Sequence, residues 1–215
     1  MGSIDDLVHL VRPARGEPEG ALVLLHGRAT SEHDLAPLVD ELDPERRLIG
    51  VTPRGPLELP PGGFHWYVVR QVGFPDPETF LPSYERLTGW FDALPDALGV
   101  PVDRTVVGGF SQGGVMSYAL ALGEGRPRPA GTIALSCFLP TTEGFSLDLE
   151  DLDGYPVAIG HGTLDPIIEI GFGRDARRRL EEAGGDVTYK EARMPHMVDA
   201  DYLVELQGWL ARVLA

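Results

Sequence analysis

The chain alternates between short apolar runs and longer stretches whose apolar residues recur every three or four positions. Residues 21–25 and 131–135 are clear short runs, and they predict strands that are buried on both faces. Leu203, Leu206 and Leu210 belong to a stretch of the second kind, which predicts an amphipathic helix. Strands that alternate with helices in this way predict an α/β fold with a mostly parallel, doubly wound sheet flanked by helices.

The remaining elements follow from the same pattern. Further strands are predicted at residues 5–12 (an edge strand), 48–51, 105–107, 157–160 and 186–191, with a strand or extended segment at 64–69. Helices are predicted at residues 35–42, at 84–98, from 115 onward, at 176–183 and after an N-cap at Asp199, and loops at 53–63 and 74–82. Residues 31–34 have the spacing of a capping box, which predicts that the first helix begins there.

Composition limits the class of protein. A chain of 215 residues is most simply one domain, residues 1–215, with no insertion long enough for a cap domain. A net charge of −15 disfavours nucleic acids and anionic membranes as partners. No apolar run is long enough for a membrane span, and no signal peptide is evident. The single cysteine, Cys137, rules out an internal disulfide and fits a small buried residue, so a cytoplasmic location is expected.

Residues 104–119 combine features that are typical of a nucleophilic serine. The predicted strand at 105–107 is followed by residues 109–113, which read GFSQG and fit G-x-S-x-G, and then by a helical pattern. In this context the serine, Ser111, occupies a strained turn with its hydroxyl exposed above the sheet. The helix N-terminus beneath it favours negative charge. The string alone also fits a glycine-rich helix start in which Ser111 is an ordinary N-cap.

A nucleophilic serine needs a base, and the base needs a carboxylate that orients it. Asp165 and His196 follow Ser111 in the chain order used on this type of sheet, and each of the three comes just after a separate predicted strand. The carboxyl ends of parallel strands meet at one edge, so the three residues are the candidate triad. Asp165 also fits an ordinary turn residue, because a proline follows it. The rival acids Asp153 and Asp186 both lie before strands.

A tetrahedral intermediate also needs two N–H donors. The candidates are the backbone N–H groups of Gln112, which follows the serine, and of Arg28, which lies after the first buried strand. The Arg28 side chain fits two hypotheses equally, a residue facing the pocket and a solvated arginine with no role. Candidate walls of a substrate pocket are the following aromatic and apolar residues: Trp66, Tyr67, Phe74, Phe80, Phe138 and Leu139. The same residue types fit an ordinary core.

Metal and cofactor sites are not indicated. The six histidines are scattered, without H-x-x-x-H or H-E-x-x-H spacing and without cysteine partners, so no zinc site is expected. The glycine pairs at 108–109 and 113–114 match neither of the common phosphate-binding patterns.

The motifs together resemble the small serine α/β-hydrolases of the carboxylesterase/phospholipase type, which include the acyl-protein thioesterases. The similarity extends over nearly the whole chain and is carried by residues 24–27 (LLHG), 109–114 (GFSQGG), 135–136 and 161–165, and by His196 before the closing helix. The resemblance implies an α/β-hydrolase fold without a cap domain, a Ser/Asp/His triad at the residues assigned above, and no cofactor.

Three positions depart from the pattern of that family. Ala29 stands where the second glycine of H-G-x-G is common, Pro195 stands where a glycine precedes the histidine, and residues 166–169 differ from the usual V-V-P. None of the departures removes a catalytic group. They bear on the substrate, so the protein-depalmitoylating activity of the family is not carried over to this chain.

The expected activity is that of a serine carboxylesterase, which hydrolyses short- to medium-chain carboxylic esters through an acyl-enzyme on Ser111. A thioesterase or a lysophospholipase with the same triad is the alternative among enzymes. A non-catalytic small-molecule binder is the alternative from another class, because a fold alone does not fix a function. The expected partner is a small-molecule ester, and hydrophobic loops at residues 64–82 and 136–147 also fit a homodimer.

Overall fold

The fold is described by a computed structural model for residues 2–150 and 152–215. The strands are β1 (His9–Arg12), β2 (Gly20–Leu25), β3 (Leu48–Pro53), β4 (Leu57–Glu58), β5 (Phe64–His65), β6 (Val69–Gln71), β7 (Phe74–Pro75), β8 (Thr105–Phe110), β9 (Gly131–Leu135), β10 (Pro156–Gly162) and β11 (Asp186–Ala192). The α-helices are α1 (Ala36–Leu42), α2 (Pro77–Leu98), α3 (Gln112–Leu122), α4 (Ile170–Glu182) and α5 (Ala200–Val213), and 3-10 turns lie at Ile4–Asp6 and Val102–Arg104.

Seven strands form one sheet in the order β1-β3-β2-β8-β9-β10-β11. Every neighbouring pair is parallel except β1 and β3, which run antiparallel at one edge. The helices connect the parallel strands as crossovers, which confirms the mostly parallel α/β sheet predicted from the sequence. Since β8 lies in the middle of the order, the serine that follows it emerges at the centre of the carboxyl edge.

The sheet is covered by helices on both faces. Leu22 and Leu24 of β2 belong to the core beneath α1 and α5, whereas Val23 and Leu25 of the same strand belong to the core beneath α2, α3 and α4. Side chains alternate between the faces of a strand, so a strand covered on both sides must be apolar at every position. None of the helices within residues 2–150 and 152–215 combines the length and the apolar character needed to cross a membrane.

The structure differs from two predictions for the segment between β3 and α2. The strand or extended segment predicted at residues 64–69 is split into β5 and β6, and each pairs in a separate two-stranded sheet outside the main one. The predicted loop at residues 74–82 contains the start of α2, which begins at Pro77. Pro77 occupies the first helical turn, where the missing N–H costs no hydrogen bond, so this proline starts the helix instead of preventing it.

The predicted capping box at residues 31–34 does not start the first helix. Helix α1 begins at Ala36, and its N-cap, Leu35, makes no side-chain hydrogen bond. Glu32, the residue after the predicted cap, instead forms a two-point ion pair with Arg54, at 2.6 and 2.5 Å.

The turn between β8 and α3 is pressed against the end of β2. A Cβ atom on Gly113 would overlap the backbone carbonyl of Leu25, and a Cβ atom on Gly109 would overlap the backbone of Gly113. Neither neighbour is the flexible end of a side chain, so the structure cannot make room by a rotamer change. The two glycines of G-x-S-x-G are required here by contact between backbones.

We expect the substitution Gly113→Ala to lower the free energy of unfolding by about 3 kcal/mol or more, because a methyl group would force β2 and α3 apart. The matched control is Gly208→Ala in α5, where a Cβ atom meets nothing within 4 Å. That change should raise stability by about 0.5–1 kcal/mol through helix propensity. Urea denaturation measures both values, and wild-type stability in the Gly113→Ala protein would contradict the packing argument.

Candidate active site

Three polar side chains meet at the carboxyl edge of the sheet. Ser111 follows β8, Asp165 follows β10 and His196 follows β11. The distance from His196 Nε2 to Ser111 Oγ is 3.0 Å, and the distance from His196 Nδ1 to Asp165 Oδ2 is 2.6 Å. Because a carboxylate accepts, Nδ1–H donates to Asp165, which leaves Nε2 of the neutral ring to accept the serine proton. A serine hydroxyl in such a chain of hydrogen bonds can be activated as a nucleophile.

The backbone of Ser111 is strained. Its φ is 56° and its ψ is −121°. Residues other than glycine rarely adopt this backbone conformation, which costs about 1–3 kcal/mol. The N–H of Ser111 donates to the carbonyl of Leu135 at 2.9 Å, which ties the turn to the end of β9. Helix α3 begins at the next residue, Gln112, so its first N–H groups lie beside the hydroxyl.

The carboxylate of Asp165 is held by both of its oxygens. Oδ1 accepts the N–H groups of Ile167 and Ile168, at 2.8 and 2.9 Å, while Oδ2 faces His196. His161 also binds this loop, because its Nε2–H donates to the carbonyl of Ile168 at 2.8 Å. Burial lowers the pKa of His161. At 3.6 Å from Asp165 Oδ2, the neutral ring is a packing neighbour of that carboxylate and not its ion-pair partner.

The loop after β2 is fixed by a second buried histidine. His26 Nε2 accepts the N–H of Gly55 at 2.8 Å, so its Nδ1 carries the proton and donates to the carbonyl of Gly27 at 2.7 Å. Burial lowers the pKa of His26, which keeps this tautomer uncharged. Trp66 Nε1–H donates to the carbonyl of His26 at 2.9 Å. Ala29, in the place of the usual glycine, has a φ of 69° and therefore carries the left-handed conformation for which glycine is better suited.

The side chain of Gln112 binds the backbone of a neighbouring segment, a role that the sequence did not indicate. Its Oε1 accepts the N–H of Trp66 at 3.0 Å, and its Nε2 donates to the carbonyl of Tyr67 at 2.9 Å. The residue after the serine therefore holds the 66–67 segment against the start of α3. Its own backbone N–H is among the first of the helix, which have no acceptor within the helix.

A cavity of about 350 Å³ opens beside Ser111. Five residues named from the sequence line it: Arg28, Tyr67, Ser111, Gln112 and Phe138. Five further lining residues were not predicted: Val69, Gln71, Val72, Ile167 and Ile168. The walls are mostly apolar, and a volume of this size is in the range of small-molecule sites.

The other candidate wall residues lie elsewhere. Trp66 and Phe80 have no exposed surface, and Leu139 is 5% exposed, so these three belong to the core. Phe74 is 52% exposed on β7 and is not among the residues that line the cavity. Cys137 is buried, and burial raises the pKa of its thiol well above the usual range.

The sequence analysis assigned no role to the side chains of the supporting histidines, His26 and His161, although each stands at the end of a buried strand. The available signal was a polar residue directly after an apolar run, followed in both cases by glycine. The rival acids lie away from the site, since Asp186 begins β11 at the opposite edge of the sheet and Asp153 is in the turn before β10. Residues 2–150 and 152–215 contain no group of three or more His, Cys, Asp or Glu side chains that could hold a metal ion.

Proteins with this sheet, and with a serine on a tight turn at its carboxyl edge, form the α/β-hydrolase class. A solved structure, the Bacillus cereus carboxylesterase, superposes with a TM-score of 0.83 at 23% identity, over 96% of this chain and 94% of that one. That likeness concerns the fold. The chain belongs to the phospholipase/carboxylesterase family, whose model matches residues 8–214, and it is a serine hydrolase of the esterase/thioesterase group.

Curated relatives support the same assignment. The acyl-protein thioesterase 1 of Cryptococcus neoformans is 26% identical over 97% of this chain and 98% of its own length. The acyl-protein thioesterase 1 of Debaryomyces hansenii is 30% identical over 66% of this chain, and that match spans 61% of the Debaryomyces protein.

Stability should fall as the pH is lowered from 7.5 to 5.5. Burial lowers the pKa values of His26, His65 and His161, so the unfolded chain binds protons near pH 6.5 that the folded protein does not bind. Each such histidine contributes a slope of up to about 1.4 kcal/mol per pH unit in that window. Glu191, whose pKa is lowered to about 2 by Arg174, loses its contribution only below this range.

Urea denaturation at several pH values measures this slope. In the His161→Gln protein, one of the three histidines no longer contributes, so the slope should be smaller. The matched control is His33→Gln, since the His33 side chain is 69% exposed. A wild-type stability that stays constant from pH 7.5 to 5.5 would be inconsistent with neutral buried histidines.

Proposed function

We propose that this hydrolase cleaves short- to medium-chain carboxylic esters through an acyl-enzyme on Ser111, with His196 as the general base and Asp165 as its orienting carboxylate. The observation that carries the proposal is the relay of hydrogen bonds from Ser111 through His196 to Asp165, at 3.0 and 2.6 Å, at the edge of an apolar cavity. A binder without catalysis would have no physical need for all three groups in this order.

In the proposed reaction, Ser111 Oγ attacks the carbonyl carbon of the ester while its proton passes to His196 Nε2. The tetrahedral intermediate collapses, and the alcohol leaves with that proton, which forms the acyl-enzyme. Water then attacks the acyl carbon and gives a proton to His196, and the carboxylic acid departs as Ser111 recovers its hydrogen. Asp165 stabilises the imidazolium in both steps and stays ionised.

The developing oxyanion is assigned to the backbone N–H groups of Gln112 and Arg28. Support for Gln112 comes from its position as the first residue of α3, where the N–H groups and the helix dipole favour negative charge. Support for Arg28 comes from the residue before it: a Cβ atom on Gly27 would lie 3.6 Å from Ser111 Cβ. The hydrogen bonds of His26 hold this loop in place, so the donors need little rearrangement during the reaction.

Short and medium acyl chains fit the cavity better than long ones. Its volume is about 350 Å³, and Phe138, Val72 and Ile168 provide apolar walls. Burial of each methylene contributes about 0.8 kcal/mol, so binding should improve with chain length until the cavity is filled. Carbons beyond that point would add contact only with the exposed rim.

Thioester hydrolysis is the second candidate. It is favoured by the relatives named acyl-protein thioesterase 1, of which the Cryptococcus protein aligns over 97% of this chain. The same serine, base and oxyanion donors serve a thioester, because the attacked carbonyl is common to both substrates. A comparison of kcat/KM for oxygen and sulfur esters of one acyl chain distinguishes the two activities.

Replacing the nucleophile or the base should abolish most turnover. We expect Ser111→Ala and His196→Ala to lower kcat by about 10⁴-fold with folding intact, and Asp165→Ala to lower it by several orders of magnitude. A fluorophosphonate probe should label the wild-type protein and not the Ser111→Ala protein. The control is Ser136→Ala, which removes a buried serine at the end of β9 and should leave labelling intact. Equal labelling of the Ser111→Ala protein would reject the assignment.

The chain-length preference should respond to the size of Phe138. With 4-nitrophenyl esters from acetate to palmitate, we expect kcat/KM to be highest for short or medium chains in the wild type. The Phe138→Leu change enlarges the cavity and should move the optimum to longer chains. Leu139→Val, which trims a neighbouring core residue that does not line the cavity, should leave the optimum in place. An optimum at palmitate in the wild type would contradict the proposed substrate range.

A further inference from the structure

Arg28 is exposed and is among the residues that line the cavity beside Ser111. Among the described residues that line this cavity, Arg28 alone has a charged side chain. The other polar residues that line it are uncharged, namely Tyr67, Gln71, Ser111 and Gln112, and the remaining walls are apolar. An ester that enters the cavity therefore meets one positive group in surroundings that contribute no opposite charge.

No carboxylate in the part of the chain that the structure describes pairs with this arginine. Within residues 2–150 and 152–215, no Asp or Glu oxygen lies within the ion-pair distance of 4.0 Å from Arg28. By contrast, Arg70 lies on β6 between two lining residues and is paired with carboxylates. Its Nε is 2.5 Å from Asp76 Oδ2, and its guanidinium is 3.7 Å from Glu78. The chain has 33 acidic and 18 basic residues, so an unpaired guanidinium here does not reflect a shortage of carboxylates.

The backbone of Arg28 is also close to the reacting group. It follows Gly27 directly, and a Cβ atom on Gly27 would lie 3.6 Å from Ser111 Cβ. The N-terminus of α3 begins at Gln112 and adds positive potential at the same point. An anion on the substrate would thus be attracted by the N-terminus of α3 and by the exposed guanidinium of Arg28.

We propose that Arg28 selects esters that carry a carboxylate, so that the preferred substrate is a mono-anionic ester. A guanidinium is a planar donor that matches a carboxylate with two parallel hydrogen bonds. The selection rests on the proposed ester hydrolysis at Ser111, and it leaves open only whether the carboxylate belongs to the acyl or to the alcohol part. The test therefore includes one substrate pair for each part.

The acyl pair is 4-nitrophenyl hydrogen glutarate and its neutral methyl ester. The alcohol pair is 4-(carboxymethyl)phenyl butyrate and its methyl ester, in which a methylene keeps the leaving groups similar. We expect the anionic member of at least one pair to have a kcat/KM about threefold to tenfold higher in the wild type, as for a partly solvated charged pair. The preference should disappear in Arg28→Gln, persist in the matched control Arg70→Gln and weaken with added salt. No preference in either pair, or a preference unchanged by Arg28→Gln, would overturn the proposal.

A binding measurement separates this proposal from ester hydrolysis itself. The Ser111→Ala protein should bind 4-(carboxymethyl)phenyl butyrate or the hydrogen glutarate about threefold to tenfold more tightly than the neutral ester, by titration calorimetry. The Ser111→Ala/Arg28→Gln protein should bind both members equally. If the wild type hydrolysed no ester, the proposed function would fail while calorimetry still decided the role of Arg28. Equal binding of both members to the Ser111→Ala protein would reject the role of Arg28 even if hydrolysis were established.

Discussion

The contact between the backbone of Gly113 and the carbonyl of Leu25 is the constraint on which the rest of the site depends. It brings the start of α3 directly against the end of β2, with no side chain between them. Ser111 can then occupy its strained conformation at a φ of 56° only because burial of the neighbouring strands outweighs the local cost. This contact consequently packs the loop after β2 directly against the serine turn and the helix N-terminus.

The fold and the meeting of the three candidate triad side chains could be predicted because they depend on strong local signals. Strands covered on both faces must be apolar throughout, so runs such as residues 131–135 could be recognised without tertiary information. The glycines around Ser111 mark a backbone contact that tolerates no Cβ atom. Asp165 and His196 were assigned from their positions after strands, since parallel strands bring their carboxyl ends together whatever the intervening sequence.

The cavity walls could not be predicted, because they depend on how irregular segments fold back over the sheet. Trp66 and Tyr67 are adjacent aromatic residues in the chain, yet Tyr67 lines the cavity and Trp66 is wholly buried. The indole N–H of Trp66 is used to bind the carbonyl of His26, a contact between residues 40 positions apart. Ile167 and Ile168 reach the wall because their N–H groups bind Asp165, which fixes the loop in one conformation.

Buried and exposed polar groups have different roles in the proposed site. His26 and His161 are buried, uncharged and hydrogen-bonded to backbone groups, so they hold the loops that carry the proposed oxyanion donors and Asp165 without placing a charge in the core. A charge in that interior would need a partner, and the partner would cancel its field. Arg28 is exposed, so water stabilises its unpaired charge. A substrate in the cavity can approach it, because Arg28 is among the lining residues. The proposed electrostatic selection is therefore at the rim, and the two histidines that support the loops are neutral beneath it.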